Sequence, residues 1–472
     1  MTSTVDRCLL VGMPGYTLPH RLRAWLADGL GGVVLFAGNI ADRDQLGELV
    51  ADIRSAGEDV LVAVDEEGGD VTRLYAGTGA PHPGNLALGA VDDVALTRRV
   101  GAAIGTDLAG LGINLNLAPV ADVNTNPDNP IIGTRSFGAA PERVAAHVVA
   151  YLTGLQSTGV AGCAKHFPGH GDTALDSHLA LPTVTGDLEP HLVPFRAAIA
   201  AGVRAVLTAH VAYPGLCDGP ATLSRAVLTG LLRDELGFTG AVVTDSMTMS
   251  AIADRTGVAE GAAIALAAGA DLVCMTGDYR LQREVRDHLV HHPALSADRI
   301  AEAAERVRAL ARPGGGDDAV PPATAPEMAD AARGALVADP GVGRLDSAPY
   351  VLELSPPRQG IEPTAGSLLA MLNARDPRVT GTRLLPDHAD DTLAGVLAAA
   401  ADRPLVVVVR DAHRVPVTRR RLGAVLAGRP DAVVVGIGTG ADRSLAAGRY
   451  LGTRGGARVN LSAAADLLVG AR

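Results

Sequence analysis

The chain has 472 residues, of which 47% are hydrophobic and only 3% aromatic, and it carries a formal net charge of −11. This length predicts two or three domains, and the apolar content is sufficient for a large core. The negative charge, with no basic block interleaved with aromatic residues, argues against nucleic acid or an anionic membrane as the main partner.

Apolar segments of strand length recur along the first 300 residues and alternate with alanine-rich segments of helical character. This alternation predicts βα units and a parallel sheet. Eight such units within roughly 300 residues predict an α/β fold of the (β/α)8 TIM-barrel type. The predicted strands are Cys8–Gly12, Gly32–Phe36, Val60–Asp65, Ile113–Val120, Val160–Phe167, Ala205–Val211, Ala241–Ser246 and Leu272–Met275.

Ionisable residues cluster at the downstream ends of five of these strands. In a (β/α)8 barrel this is the face on which active sites form, although polar residues also simply mark where strands end. Their number favours the first interpretation. The residues are Asp65, Asp122, Lys165 with His166, His210 and Asp245.

The region beyond residue 295 predicts the end of the barrel and a second domain. Ser296–Arg312 has a serine N-cap and helical apolar spacing, and the Pro- and Gly-rich segment Pro313–Pro326 predicts a linker. Three more strands separated by helix-like segments predict a smaller α/β sandwich. They are Tyr350–Leu354, Leu405–Val409 and Ala432–Gly438. We therefore expect a catalytic barrel at 1–312, a linker at 313–326 and an accessory domain at 327–472.

Several features bear on compartment and cofactors. The cysteines Cys8, Cys163, Cys217 and Cys274 are far apart, which predicts free buried thiols rather than disulfides or zinc ligands. We expect no signal peptide and no membrane helix, because no apolar run reaches roughly 20 residues. The glycine loop GIGTG lacks dinucleotide-binding spacing. These features predict a cytoplasmic protein without a nucleotide cofactor.

The segment Lys165–His178, with sequence KHFPGHGDTALDSH, holds three histidines, two aspartates and one lysine. It is open to interpretation as a metal site, an acid/base loop or an ordinary polar turn. His166 and His170 are four residues apart, which on a helix would suit metal ligands. Pro168 and Gly169 lie between them and disfavour a regular helix. The metal site is therefore the weaker alternative, and we expect no metal.

The end of the same segment places Asp176 and His178 two residues apart. In an extended loop such side chains point the same way, so the carboxylate can hold one imidazole nitrogen and raise the basicity of the ring. The other nitrogen then serves for proton transfer near neutrality. A surface loop that caps the next helix is the alternative. His170 and Asp172 are expected to shape the loop.

Asp245 stands at the expected end of the seventh strand. An ionised carboxylate in a pocket with cationic groups can attack an electrophilic carbon, although an aspartate after a strand is also a common helix N-cap. A carboxylate nucleophile with proton transfer from a separate loop is the pattern of retaining glycoside hydrolysis, here with a histidine–aspartate pair in place of one carboxylate.

Six segments between about Cys8 and Leu310 together resemble glycoside hydrolase family 3, and within it the β-N-acetylglucosaminidases. The segments are GGVVLFAGNI, VDEEGGDVTRL, LAPVADVNTNPDNPIIGTRSFG, KHFPGHGDTALDSHLALP, LTAHVAYP and VVTDSMTM. They occur in the order found in the family, and KHFPGHGDT followed by DSH is the most specific of them.

This resemblance implies a role for each candidate residue. Asp245 matches the nucleophile, and His178 matches the acid/base, oriented by Asp176. The positions that match sugar ligands are Asp65, Arg73, Arg135, Lys165 and His166. The carboxylate can accept from adjacent hydroxyls and the cations can donate to sugar oxygens. The same cations favour ionised carboxylates nearby.

The leading prediction is an exo-acting β-N-acetylglucosaminidase that releases N-acetylglucosamine from cell-wall fragments or chitooligosaccharides, with retention and without metal or cofactor. Phosphorolysis is a close alternative, because a histidine that has given up its proton repels phosphate less than a carboxylate would. A catalytically silent sugar-binding protein is a remote one, against which Asp176, His178 and Asp245 argue together. We expect a monomer that binds small carbohydrates in peptidoglycan turnover.

Overall fold

The structure is a computed structural model that describes residues 2–177, 179–314, 319–355, 366–388 and 391–470. The chain divides into two compact units. The first comprises Met1–Glu67, Asp93–Ile132 and Ser136–Ala323, and the second comprises Gly68–Asp92, Gly133–Arg135 and Thr324–Arg472. The second unit therefore includes two short segments from the region predicted as the barrel domain. The predicted domain limits at 312 and 327 stay predictions.

The first unit is built on a parallel sheet. Its strands are β1 (Leu9–Gly12), β2 (Gly32–Leu35), β3 (Leu61–Val64), β4 (Leu115–Asn116), β5 (Ala161–Phe167), β6 (Ala205–Thr208), β7 (Ala241–Thr244) and β8 (Val273–Met275). In the described part of the unit the eight strands follow the order β7-β6-β5-β4-β3-β2-β1-β8. A parallel bridge between Val243 and Leu272 brings the two edges together. The predicted strands and the TIM-type barrel are confirmed.

Small and medium apolar side chains fill the interior of the barrel. Leu61 and Ala63 on β3 and Cys163 on β5 belong to one buried cluster with residues of the other strands, as expected when alternate strand residues point inward. Val307 and Leu310 pack against the same cluster. All four cysteines of the sequence are free and buried, which confirms the prediction of buried thiols.

Helices alternate with the strands of both units. They are α1 (Thr2–Arg7), α2 (His20–Ala27), α3 (Arg43–Ser55), α4 (Asn85–Val91), α5 (Val94–Ala109), α6 (Pro141–Gln156), α7 (Glu189–Ala200), α8 (Ser250–Ala253), α9 (Val258–Ala268), α10 (Tyr279–His291), α11 (Ala297–Ala311), α12 (Ala325–Gly334), α13 (Leu368–Arg375), α14 (Asp391–Ala399), α15 (Pro416–Gly428) and α16 (Arg458–Val469), with a π-helix at Ala226–Glu235.

Side-chain caps explain where several of these helices begin. The carboxylates of Asp42, Asp93 and Asp278 accept backbone N–H groups in the first turns of α3, α5 and α10. Ser296 caps α11 in the same way, which confirms the predicted helix. Thr324 forms a reciprocal capping box at the start of α12, so that the last two residues of the predicted linker are helical. Each cap satisfies a backbone donor that the helix itself leaves without an acceptor.

The second unit contains a mixed sheet. Its strands are β9 (Val337–Ala338), β10 (Tyr350–Leu354), β11 (Thr380–Leu384), β12 (Leu405–Val409), β13 (Val433–Gly436) and β14 (Tyr450–Gly452). The order is β11-β10-β12-β13-β14-β9, and β9 alone among these runs antiparallel to its neighbour. Apolar clusters cover both faces of the sheet, which confirms the predicted α/β sandwich. Among the described residues, no helix combines the length and the apolar character needed to cross a membrane.

Candidate active site

Lys165 near the carboxyl end of β5 bridges two carboxylates. Its Nζ lies 2.7 Å from Oδ1 of Asp65 and 2.7 Å from Oε1 of Glu67, and the Lys165 and Glu67 side chains are 3% and 2% exposed. Asp65 directly follows β3. A buried ammonium group is tolerated when charged acceptors surround it. The two predicted sugar ligands are thus brought together, and Glu67, to which sequence reasoning assigned no role, completes the arrangement.

Asp122 organises the turn that follows β5. It is fully buried, and its Oδ2 lies 2.7 Å from Nδ1 of His166, while its Oδ1 accepts the backbone N–H of His170 at 2.6 Å. Because Nδ1 of His166 donates to the carboxylate, the neutral ring has its acceptor at Nε2. That tautomer suits a sugar hydroxyl as donor. The sequence placed Asp122 at a strand end but gave no sign of its partners.

Both ring nitrogens of His170 are engaged by hydroxyl groups. Nδ1 lies 2.7 Å from Oγ1 of Thr173, and Nε2 lies 3.1 Å from Oγ of Ser177. The Thr173 hydroxyl itself donates to the His170 carbonyl, so Nδ1 is the nitrogen that donates and Nε2 accepts from Ser177. Burial, followed by the neighbouring His166, lowers the pKa of His170 to about 4. These contacts agree with a loop-shaping role and disfavour His170 as a metal ligand.

Two glycines let this turn pack closely. A Cβ on Gly171 would lie 1.8 Å from the carbonyl oxygen of Val123, and Gly169 adopts a φ of +138° with His191 beside it. The Tyr213 hydroxyl donates to the Gly169 carbonyl at 2.5 Å. No residue with a side chain fits at position 171 without moving the backbone. The histidine spacing in this segment therefore follows from a tight turn rather than from a helix.

The outer part of the loop carries the predicted proton-transfer pair. Asp176 and Ser177 are buried, and the Asp176 carbonyl accepts the backbone N–H groups of Leu179 and Ala180. Leu179 is 76% exposed. His178 lies outside the described residues, so its pairing with Asp176 stays a prediction.

Asp245 directly follows β7 and is partly exposed. Its Oδ1 accepts the backbone N–H of Ser246 at 2.7 Å, and the Ser246 carbonyl accepts Nε2–H of His210 at 3.0 Å. The next helix, α8, has Met249 as its N-cap, so the alternative of Asp245 as a helix cap is not what the structure shows. The carboxylate is held by its own main chain at the carboxyl end of the barrel.

The interior of the barrel brings Asp245 and Asp65 to the same region. The pKa of Cys274 on β8 is raised, first by burial and then by the carboxylates of Asp245 and Asp65. Asp245 also acts on His170, whose pKa it shifts slightly upward against the larger effect of burial. The candidate residues after β3, β5 and β7 therefore share one end of the barrel, as the fold predicts.

Two candidate sugar ligands, Arg73 and Arg135, belong to the second unit. Arg135 is buried, and its backbone carbonyl accepts Nδ2–H of Asn85 at 2.6 Å. Near Arg73 in the chain, the buried carboxylate of Asp70 accepts Nη1–H of Arg410 at 2.9 Å. These bonds hold both short segments within the second unit. The sugar-binding roles of the two arginines stay predictions.

Comparison with known proteins identifies similar sequences for the barrel region. A family model described as the glycosyl hydrolase family 3 N-terminal domain matches residues 10–310. The beta-hexosaminidase of Stenotrophomonas maltophilia strain K279a is 40% identical over 276 residues, which cover 56% of this chain and 82% of that protein. Beta-hexosaminidase A of Pseudoalteromonas piscicida is 35% identical over 298 residues, 57% of this chain and 50% of the relative. The chain thus spans about half the length of that relative.

A solved structure matches the full length of the chain. It is titled a glycoside hydrolase family 3 beta-N-acetylglucosaminidase from Paenibacillus sp. str. FPU-7. The TM-score is 0.89 at 32% identity, and the match covers 100% of this chain and 97% of the other. The similarity therefore includes the second unit as well as the barrel.

Proposed function

The chain belongs to glycosyl hydrolase family 3, a family of glycoside hydrolases, and we propose that it is an exo-acting, retaining β-N-acetylglucosaminidase. The observation that supports this most directly is the arrangement at the carboxyl end of the barrel. Asp245 stands there with Asp65 and with the buried Lys165 that Asp65 holds at 2.7 Å. The names of the similar proteins, beta-hexosaminidase and beta-N-acetylglucosaminidase, agree with this substrate class.

In the first step, a carboxylate oxygen of Asp245 attacks the anomeric carbon while the glycosidic bond to the leaving oxygen breaks. His178 gives its proton to that oxygen, so the leaving group departs as an alcohol. Asp176 orients the imidazole and stabilises the charged form. The product is a glycosyl ester on Asp245 with inverted configuration.

In the second step, the neutral His178 takes a proton from water, and the water oxygen attacks the anomeric carbon of the ester. The bond to Asp245 breaks and the carboxylate is restored. Two inversions give overall retention. His178 returns to its protonated form, so the cycle closes without any other acid or base.

The residues around Lys165 hold the sugar before either step. A carboxylate and an ammonium group such as those of Asp65 and Lys165 suit the hydroxyls of a sugar, because the first accepts and the second donates hydrogen bonds. His166 offers Nε2 as an acceptor, because Asp122 fixes its tautomer. Arg73 and Arg135 stay in the proposal as sugar ligands on the strength of the family motifs alone.

The proposal also covers the biological setting expected from the sequence. It comprises terminal N-acetylglucosamine of cell-wall fragments or chitooligosaccharides as substrate and a role in peptidoglycan turnover. It further comprises action without metal or cofactor, a cytoplasmic location and a monomeric state.

Comparison of an aryl N-acetylglucosaminide with the matching aryl glucoside, each with and without phosphate, tests the proposal. We expect kcat/KM to favour the acetamido sugar by at least about a hundredfold, because a site built for the acetamide leaves polar groups without partners when it holds glucose. The product should be free N-acetylglucosamine under both conditions. Near-equal rates would indicate a broader β-glucosidase, a sugar 1-phosphate would indicate a phosphorylase, and binding without turnover would indicate a sugar-binding protein.

A further inference from the structure

We propose that Glu260, His288 and His292 form a binding site for one divalent metal ion of the zinc type. Glu260 lies in the first turn of α9. His288 lies in the last turn of α10 and His292 directly follows that helix. The three residues belong to the first unit and are not among the residues assigned to sugar binding or catalysis.

The ligand atoms converge on one point. Nε2 of His288 lies 3.1 Å and Nε2 of His292 lies 3.4 Å from the same carboxylate oxygen, Oε2 of Glu260. All three atoms lie within 4.8 Å of one another. Zinc bonds of about 2.0–2.1 Å in a tetrahedral arrangement separate ligand atoms by roughly 3.3 Å. An ion therefore fits among these atoms after small side-chain movements, provided that the proton of His292 moves to Nδ1, which now accepts the Ala294 backbone N–H at 3.3 Å.

The chemistry of the set favours a borderline metal. Imidazole nitrogens select zinc and similar transition metals over calcium and magnesium, which prefer oxygen ligands. His288 on α10 and His292 directly after it bring their rings together, with ring centroids 5.1 Å apart. A third ligand from a different helix fixes the position of the ion, and water completes the tetrahedron.

The position of the site gives it a structural consequence. α9 follows β7 and α10 follows β8 in the chain, so an ion held by both helices would link two consecutive βα units of the barrel. The Glu260 and His288 side chains are 46% and 37% exposed. Such an ion can thus enter from solvent, and its binding energy would add to the stability of the folded chain.

Titration of the chelator-treated full-length protein with Co²⁺ and with Zn²⁺ tests this site. Wild type should bind one Co²⁺ per chain with the visible absorption of a tetrahedral complex, and Zn²⁺ should displace it. Zn²⁺ should also raise the thermal unfolding midpoint in a saturable way. His288→Ala and Glu260→Gln should each bind at least about a hundredfold more weakly than wild type.

His291→Ala is the matched control. His291 lies on the same helix end, but its Nδ1 is 2.9 Å from the Asp287 carbonyl and the residue is outside the cluster. This variant should bind Co²⁺ as wild type does. The proposal is overturned if wild type shows no saturable binding at one ion per chain, or if His288→Ala and His291→Ala lose the same affinity. Those results would leave a hydrogen bond between His288 and Glu260 with His292 beside it, and no metal site.

Discussion

The segment from Lys165 to Ala180, which comprises the end of β5 and the loop after it, has an inner and an outer part that differ in environment. In the inner part, from Lys165 to Thr173, the side chains of Lys165, His166 and His170 are buried and bonded to protein partners. In the outer part, of which the structure describes residues 174–177, 179 and 180, Leu175 and Leu179 are 54% and 76% exposed, while Asp176 is buried.

The difference separates two uses of histidine. His166 and His170 have hydrogen-bonding partners within the protein, and burial lowers the pKa of His170 to about 4. A group in that state does not deliver a proton near neutrality. The proposed acid/base, His178, belongs to the outer part. We therefore expect this run of ionisable residues to divide into groups that hold the site and groups that do its chemistry.

The largest effect is expected for Asp245, the proposed nucleophile. Asp245→Ala should lower kcat by at least about a thousandfold, because no carboxylate would then attack the anomeric carbon. Steady-state kinetics with an aryl N-acetylglucosaminide measures this, and thermal unfolding checks that the variant folds. Asp254→Asn, an exposed residue in the same βα unit, is the control and should keep full activity. A variant of Asp245 that keeps more than roughly a tenth of the activity would exclude it as nucleophile.

The outer part should show a dependence on the leaving group. His178→Ala should slow a natural disaccharide far more than a nitrophenyl glycoside, because an activated leaving group departs with little help from an acid. Asp176→Ala should show the same pattern more mildly. Azide should speed release of the sugar from the His178 variant. Equal losses on both substrates with no effect of azide would make His178 structural and would place the proton on another group, with Asp172 next to be tested.

Substitution in the network of the inner part should lower activity without any dependence on the leaving group. Asp122→Asn removes the charge that holds His166 and the backbone of His170, at a cost of about 1–3 kcal/mol in unfolding free energy. Because it disturbs sugar positioning and not proton transfer, it should slow both classes of leaving group by the same factor. Chemical denaturation measures the loss of stability, and the ratios of variant to wild-type rate on the natural disaccharide and on the nitrophenyl glycoside measure the effect on activity. If the Asp122 variant depended on the leaving group as strongly as the His178 variant, the inner part would also take part in proton transfer, and the two parts would not differ in function.

The smallest effect concerns pH. His170 has a folded-state pKa of about 4 against about 6.5 in an unfolded chain. Between these values the unfolded chain binds a proton at this residue and the folded chain does not, so stability falls as the pH drops from 6.5 to 4. The loss is at most about 3 kcal/mol. Urea unfolding of wild type and of His170→Gln should show a shallower pH dependence in the variant. Parallel curves would mean that His170 is not buried as a neutral ring.

The barrel could be predicted because its strands are local apolar runs that repeat along the chain. In the second unit, β11 escaped prediction because the segment Thr380–Leu384 is half-exposed and mixes polar residues. β9 and β14, of two and three residues, also escaped prediction. The short segments 68–92 and 133–135 that join the second unit carry no compositional signal of a domain change.

In the candidate site, sequence reasoning found the residues but not their partners. Lys165 and Asp65 were predicted as separate sugar ligands, yet they form an ion pair across 100 positions of the chain. Asp122 reaches His166 across 44 positions. Glu67 was assigned no role from the sequence. Such contacts depend on which strand ends are neighbours in the folded barrel, and the spacing of residues along the chain does not show this.

The most direct test of the account is to trap the glycosyl-enzyme. The His178→Ala protein, mixed with an activated aryl N-acetylglucosaminide, should accumulate a covalent adduct because the base that hydrolyses it is missing. Intact mass should increase by one N-acetylglucosaminyl group, and peptide mapping should place that group on Asp245. Azide should remove it with release of a β-glycosyl azide. An adduct on another residue, or turnover by this variant with retention but without any adduct, would contradict the account.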